Sequence, residues 1–424
     1  MTTASKPGRA VPLTEPQYLL PLVLITSLFF LWAFGVNLND ILIPHFKKAF
    51  QLTDLQSSLI QAAFFGGYFL AALPAGWLME RIGYKKGILS GLMICATGAL
   101  LFIPAASSLL YVFFLFALFV MACGQSFLEV AANPYVTILG PPESSERRLN
   151  LAQSFNSVGA VVTPYIGAAF ILTNTRAGAA ATDEVKTVIG PYMVIAGVFL
   201  LVAVMILLTR LPETEREVKA EGSAHPKLAD ALRYPHLTKG VIAQFAYVGA
   251  QVGVGSFIIR FAEFLTPGTS DKVAADYLKY HWIGFMIGRF AGSLLMKYIQ
   301  PSRLLSLFAG GAFLCACLAL MASGTLPIWG LVMIGFFHSI MFPTIFALGI
   351  KGLGPYTKLG SSLLVMAIIG GAVFPALMGY VSDLTSIRTA FAVPLFCYLY
   401  IWYFAARGSH QGSRQGPHPA TVIA

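Results

Sequence analysis

A glutamate stands in the middle of the apolar stretch "FLEVAANPY", Phe127 to Tyr135. A carboxylate at the centre of a bilayer costs roughly 2.5–3.5 kcal/mol on insertion scales, and such residues are usually functional. Glu129 and Asn133 are four apart and share a helical face, with Pro134 following. Similar groupings recur. "NLNDILIPHF" places Asn37 three residues before Asp40, and "RRLNLAQSFNSVGA" places Gln153 three before Asn156, with Asn150 one turn earlier. "AQFAYVGAQVG" puts Gln244, Tyr247 and Gln251 on one stripe. Such amides and carboxyls suit a sugar, whose hydroxyls each donate and accept. Phe127, Tyr135, Phe155, Tyr247 and Phe257 lie near the polar stripes and offer rings for the apolar faces of a pyranose. An anionic ligand would need several basic residues inside the apolar segments. Only Arg260 and Arg289 are candidates, and both read as nearer helix ends. Protonated, Glu129 could donate a hydrogen bond and cross an apolar interior cheaply; facing water, it could release the proton.

The elements that position these groups follow from composition. The chain has 424 residues, 57% hydrophobic and only 11% charged, where soluble domains carry about 25% charged residues. The bilayer must be its solvent and its partner. The apolar runs are continuous, ~20 residues long, and do not alternate as barrel strands do. The expectation is an all-α membrane protein, because a helix satisfies its backbone hydrogen bonds within one span. Twelve transmembrane helices can be placed, near 18–43, 55–79, 87–107, 109–137, 148–173, 188–209, 240–264, 275–297, 303–323, 326–350, 358–381 and 386–407. One long polar connection follows the sixth. It divides the chain into a tail (1–17), a six-helix half (18–210), a linker (211–236), a second six-helix half (237–407) and a C-terminal tail (408–424). Lys and Arg concentrate in the loops on the side of the tails and linker, so the positive-inside rule puts both termini in the cytoplasm.

The formal net charge of +10 is spread over short loops without interleaved aromatics, so no nucleic-acid partner is expected. The five cysteines lie in apolar stretches and read as buried thiols. Cys315 and Cys317 are two apart on a helix and diverge. No metal-ligand spacing, phosphate loop or nucleophile triad occurs, so neither an enzyme, a metal nor a cofactor is expected. His281 and His338 read as packing or hydrogen-bonding residues. The first apolar run lacks a cleavage site and reads as helix 1. "FPTIFALGIKGLG", 342–354, reads as a proline-kinked tenth helix and a turn.

Two six-helix halves joined by a charged loop is the organisation of the major facilitator superfamily. "GWLMERIGYKKG" resembles its signature loop, with Gly76, Glu80 in the place of the usual Asp, Arg81, Gly83, Lys85 and Lys86 as a cytoplasmic gate. Its charges could make ion pairs that latch the halves. The matching loop "GSLLMKYIQPSR" has Met296 where the acid should be. "EVAANPYVTILG" followed by "RLNLAQSFNS", with "PTIFALGIKGLG", resembles the fucose–galactose–glucose:proton symporter family, over about residues 22 to 384. The resemblance implies a bacterial inner-membrane, multi-pass protein with a central sugar cavity between the halves, working as a monomer. It also implies proton-coupled uptake of L-fucose or a related hexose. Asp40 and Glu129 would be the proton and sugar carboxyls. Gln153 and Asn156 would be sugar contacts, and the polar stripes read above add Asn37, Asn133, Tyr247 and Gln251 to the expected sugar site. Sodium coupling with glucose or galactose, or a non-transporting sensor, are the alternatives. Helix 7 departs from the fucose pattern at "VGVGSFIIRFAEF".

Overall fold

The computed structural model describes residues 11–50, 53–167, 189–209, 211–212 and 227–410, without the side chains of 34–36, 38–49, 54–55, 57–58, 164–167 and 271. The carboxyl of Asp40 and most of the linker therefore lie outside the described residues.

Among the described residues the chain is helical, without strands. The first half contains α1 (Leu19–Ala49), α2 (Asp54–Ser108), α3 (Tyr111–Ile138), α4 (Ser145–Gly167) and α5 (Ile189–Leu208). The second contains α6 (Pro235–Leu265), α7 (Asp271–Leu295), α8 (Pro301–Met321), α9 (Leu326–His338), α10 (Met341–Ile350), α11 (Thr357–Met366), α12 (Gly370–Leu384) and α13 (Ala392–Tyr403). Among the described residues nine helical stretches are long and apolar enough to cross a membrane. One of them, within α2, is long enough for two crossings. α4 and α7 fall outside that set. Both carry charged side chains, α4 also amides, and both lie where the halves meet.

Local chemistry sets the boundaries. A capping box starts α2: Thr53 Oγ1 accepts from Gln56 N at 3.2 Å and Gln56 Oε1 accepts from Thr53 N at 2.9 Å. The sequence reads α2 as two spans with a loop between. Two helices meet there across a kink at Gly83, whose φ of 78° favours glycine, so the loop shrinks to that residue. The tenth span breaks at Ser339–Ile340, between α9 and α10, one turn before Pro343. Proline has no N–H for the carbonyl four residues earlier, and its ring crowds that carbonyl. The break therefore falls at Ser339 rather than at the proline.

The halves are joined toward the end carrying the N-terminal tail and the linker, here the linker end. Lys351 Nζ lies 2.6 Å from Glu146 Oε1. Ser293 Oγ donates to Arg147 O at 3.4 Å and Asn150 Nδ2 to Thr344 Oγ1 at 3.1 Å. Lys358 Nζ sits 5.0 Å from the centre of the Tyr84 ring. A side chain at Gly76 would run into Ser362 Oγ, so α2 and α11 approach that closely because this residue has none. Deeper in, Phe155 meets Phe290 with ring centres 6.1 Å apart.

Candidate binding site between the halves

α3 carries the centre of the site. Every residue from Gly124 to Val136 is buried, so the helix has no lipid-facing side there. Glu129 is 7% exposed, and its Oε2 has no hydrogen-bond partner. Asn133 holds the next turn: its Nδ2 donates to Glu129 O at 3.1 Å, and its Oδ1 accepts from Gln153 Nε2 at 2.8 Å. Asn156, a turn further on α4, donates to Phe29 O at 3.0 Å and so ties α4 to α1. Asn37 donates to Ala33 O at 2.7 Å within α1. The structure thus brings Glu129, Asn133 and Gln153 into one cluster, while one donor of Asn156 and of Asn37 is committed to backbone.

From the other half comes Arg289. The sequence reading placed it near a helix end; the structure buries it at 4% exposure. Its Nε donates to Ser339 O at 3.0 Å, the carbonyl that Pro343 leaves without a helical donor. Its Nη1 donates across the halves to Gln153 O. The guanidinium lies 4.5 Å from the Phe285 ring centre and interacts electrostatically with Glu129 and Tyr247. A cation in an apolar span is a functional candidate by default. That signal was present in "IGRFAG" but was discounted by counting from the helix end.

Tyr247 is buried with no partner for its hydroxyl. Its ring meets His338 and Phe342 edge-on, with centres 5.7 and 6.2 Å away. Gln251 lies half-buried one turn on, and Gln244 is buried with neither amide atom partnered. His338 Nε2 pairs with Tyr398 OH at 2.7 Å and His281 Nδ1 with Leu331 O at 2.8 Å, contacts within the second half. Tyr135, expected near the sugar, instead donates to Pro212 O at 2.9 Å and packs on Tyr84 at the linker end. Phe257 packs beside Arg260, 5.1 Å from the ring centre to the guanidinium carbon.

In the gate loop, Lys85 caps the end of α5 by donating to Leu207 O and Thr209 O at 3.0 and 2.9 Å. Arg81 stacks 3.8 Å over the Trp77 ring, and Lys86 is exposed. An ion pair that the sequence does not single out, Glu146–Lys351, crosses between the halves. Nor does the sequence single out a buried chain, Trp32 to Tyr68 to Gln125, behind Glu129. The i, i+4 spacing of Gln125 and Glu129 was the available signal.

Polar groups of both halves thus converge on one buried carboxyl, in a bundle closed at one end. Residues 25–362 match the Major Facilitator Superfamily. The chain belongs to the major facilitator superfamily. Among superfamily members, it is 44% identical over 397 residues to a glucose/galactose transporter of Brucella abortus biovar 1 (strain 9-941), covering 93% of this chain and 96% of the relative. It is 43% identical over 407 residues to the L-fucose-proton symporter of Escherichia coli (strain K12), covering 92% and 93%. A crystal structure of the E. coli fucose:proton symporter superposes with a TM-score of 0.86 at 41% identity, covering 93% of this chain and all of that one. As a superfamily member the chain is a multi-pass membrane protein built from two helical halves.

Proposed function

We propose that the chain is a secondary active transporter that carries a monosaccharide, L-fucose or a related hexose, into the cell with a proton, as a monomer in a bacterial inner membrane. The reading puts the linker end and both termini in the cytoplasm and takes the described state as closed to that side. The observation that carries it is Glu129: a buried carboxyl with an unpartnered oxygen, beside an arginine of the opposite half. A group so placed can bind a hydroxyl and can change its charge as access alternates. The two similar proteins, one named for fucose and protons and one for glucose and galactose, support the substrate class. With one proton per sugar, ~100 mV supplies about 2.3 kcal/mol, roughly a 50-fold accumulation.

The test is uptake of labelled L-fucose, D-galactose and D-glucose into proteoliposomes under an imposed pH gradient, with and without sodium. Accumulation that follows the proton gradient and ignores sodium is expected. Accumulation requiring sodium at constant pH would replace the proton by sodium, and no flux of any sugar would favour a sensor.

Two substitutions probe the polar faces. Gln153→Ala removes a hydroxyl partner and frees Asn133 Oδ1, and Asn156→Ala releases α4 from Phe29. Each is expected to weaken sugar binding by about 1–3 kcal/mol, the cost of an unmet buried hydrogen bond. Titration of purified protein reads this, and wild-type affinity in both would make these amides packing groups. Asp40→Asn keeps the shape but cannot titrate, and proton-driven accumulation is expected to vanish. Alkalinisation of a weakly buffered cell suspension on sugar addition should drop out with it; a wild-type signal would exclude Asp40 as the essential proton site.

A further inference from the structure

Gln125 plays no part in the reading above. It lies on α3 one turn before Glu129, so the two side chains share a face, and it is completely buried. Its Oε1 accepts from the Tyr68 hydroxyl at 3.4 Å, and the Tyr68 oxygen accepts from Trp32 Nε1 at 2.9 Å. Chemistry fixes the polarity of this chain. An indole N–H can only donate, so the phenol oxygen accepts there. The phenol proton is then the one available to Gln125, and the carbonyl end of the amide takes it. The backbone is held as well: Ser126 Oγ donates to Tyr68 O at 3.1 Å. α2 and α3 come together because Gly124 has no side chain to meet Cys95.

The consequence is an orphaned donor at a known orientation. Gln125 Nε2 is buried without a partner, and one turn on so is Glu129 Oε2. The Tyr68 phenol lies within electrostatic range of the Glu129 carboxyl, and Gln125 and Glu129 stand one turn apart on one face of α3. Buried polar groups ordinarily find partners. Here one group asks for an acceptor, its neighbour carries a carboxyl, and a sugar hydroxyl serves either.

We infer that Gln125 is a specificity-determining residue for the monosaccharide. Its Nε2 donates to one ring hydroxyl while Glu129 Oε2 engages an adjacent one, so the pair reads two neighbouring hydroxyls with a fixed polarity. Tyr68 and Trp32 act as positioning residues that keep the amide from flipping. This rests on the sugar-transport reading.

The experiment measures equilibrium binding to the full-length purified chain of whichever of L-fucose, D-galactose and D-glucose the wild type binds best, and of its monodeoxy analogues. Gln125→Leu is expected to weaken the parent sugar about tenfold. One deoxy analogue, weak on the wild type, should lose nothing further on the variant, because the hydroxyl that Gln125 contacts is already gone. Tyr68→Phe, which frees the amide to flip, should flatten the differences among analogues while lowering parent affinity less. If Gln125→Leu does not fold, Gln125→Met and Tyr68→Phe carry the same comparison. Wild-type affinity in the Gln125 variant, or an equal loss for the parent and every analogue, would overturn the inference and leave the transport reading standing; the second result would mean packing or a bound water only. A wild-type chain that binds none of the sugars would overturn both.

Discussion

Glu129→Gln is expected to bind and exchange sugar while failing to concentrate it. Glutamine resembles the neutral carboxyl in size and can still hydrogen-bond a hydroxyl, but it cannot release a proton. Exchange of labelled for unlabelled sugar needs no net proton movement, so counterflow should persist. Uptake against a gradient needs the charge change and should disappear. The sugar affinity of the variant should depend less on pH than that of the wild type, which should bind less well at high pH, where the ionised carboxyl has no proton to donate. Counterflow and pH-driven uptake measured in the same proteoliposomes separate the two functions. Wild-type accumulation by Glu129→Gln would mean that this carboxyl is not an obligatory proton carrier, and its buried position would need another cause.

Arg289→Met is expected to abolish transport and to lower thermal stability. Methionine fills the stem of the side chain but donates nothing. The carbonyls of Ser339 and Gln153 then lose a charged donor; that of Gln153 lies inside α4 and keeps its helical bond, while that of Ser339 is left unmet at about 1–3 kcal/mol. Glu129 loses the positive charge that faces it from the other half, and an uncompensated buried charge adds to the loss. The discriminating variant is the double one. Glu129→Gln combined with Arg289→Met removes that charge and should recover part of the lost Tm, but not uptake. Equal Tm in the single and double variants would show that the two residues are not coupled. Wild-type uptake by Arg289→Met would remove the arginine from the mechanism.

Most spans were legible because they are continuous apolar runs whose length bilayer thickness sets; α4 and α7, which carry charges, are not such runs. The junctions between spans were less legible. The charges of "ERIGYKK" read as a loop, yet only Gly83 leaves helical geometry there, and Lys85 reaches the carbonyls ending α5 from the helix that follows it. Pro343 announced an interruption, but the missing bond belongs to the carbonyl four residues earlier. In the site, the faces of Glu129, Asn133, Gln153 and Asn156 followed from spacing along single helices. Their partners did not, because the Gln153–Asn133 bond and the hold of Asn156 on Phe29 depend on which helices are neighbours. Arg289 was misjudged for the same reason: distance from a helix end says little about a side chain that faces the opposite half. Gln125 went unseen because its role depends on Tyr68 and Trp32, on two other helices.

The two anchors of Arg289 differ in permanence. One, to Ser339 O, stays within its own half; the other, to Gln153 O, spans the halves. When the linker end opens, the first can travel with the arginine and only the second has to be given up, at about 1.5–3 kcal/mol for a hydrogen bond to a charged group. Both acceptors are backbone atoms, so sequence drift at positions 339 and 153 leaves them in place. The residue that governs the permanent anchor is Pro343, which leaves the Ser339 carbonyl without a helical donor. An N–H restored at 343 would compete for the Ser339 carbonyl, and the resting place of a charge on α7 would then be contested by the ladder of another helix.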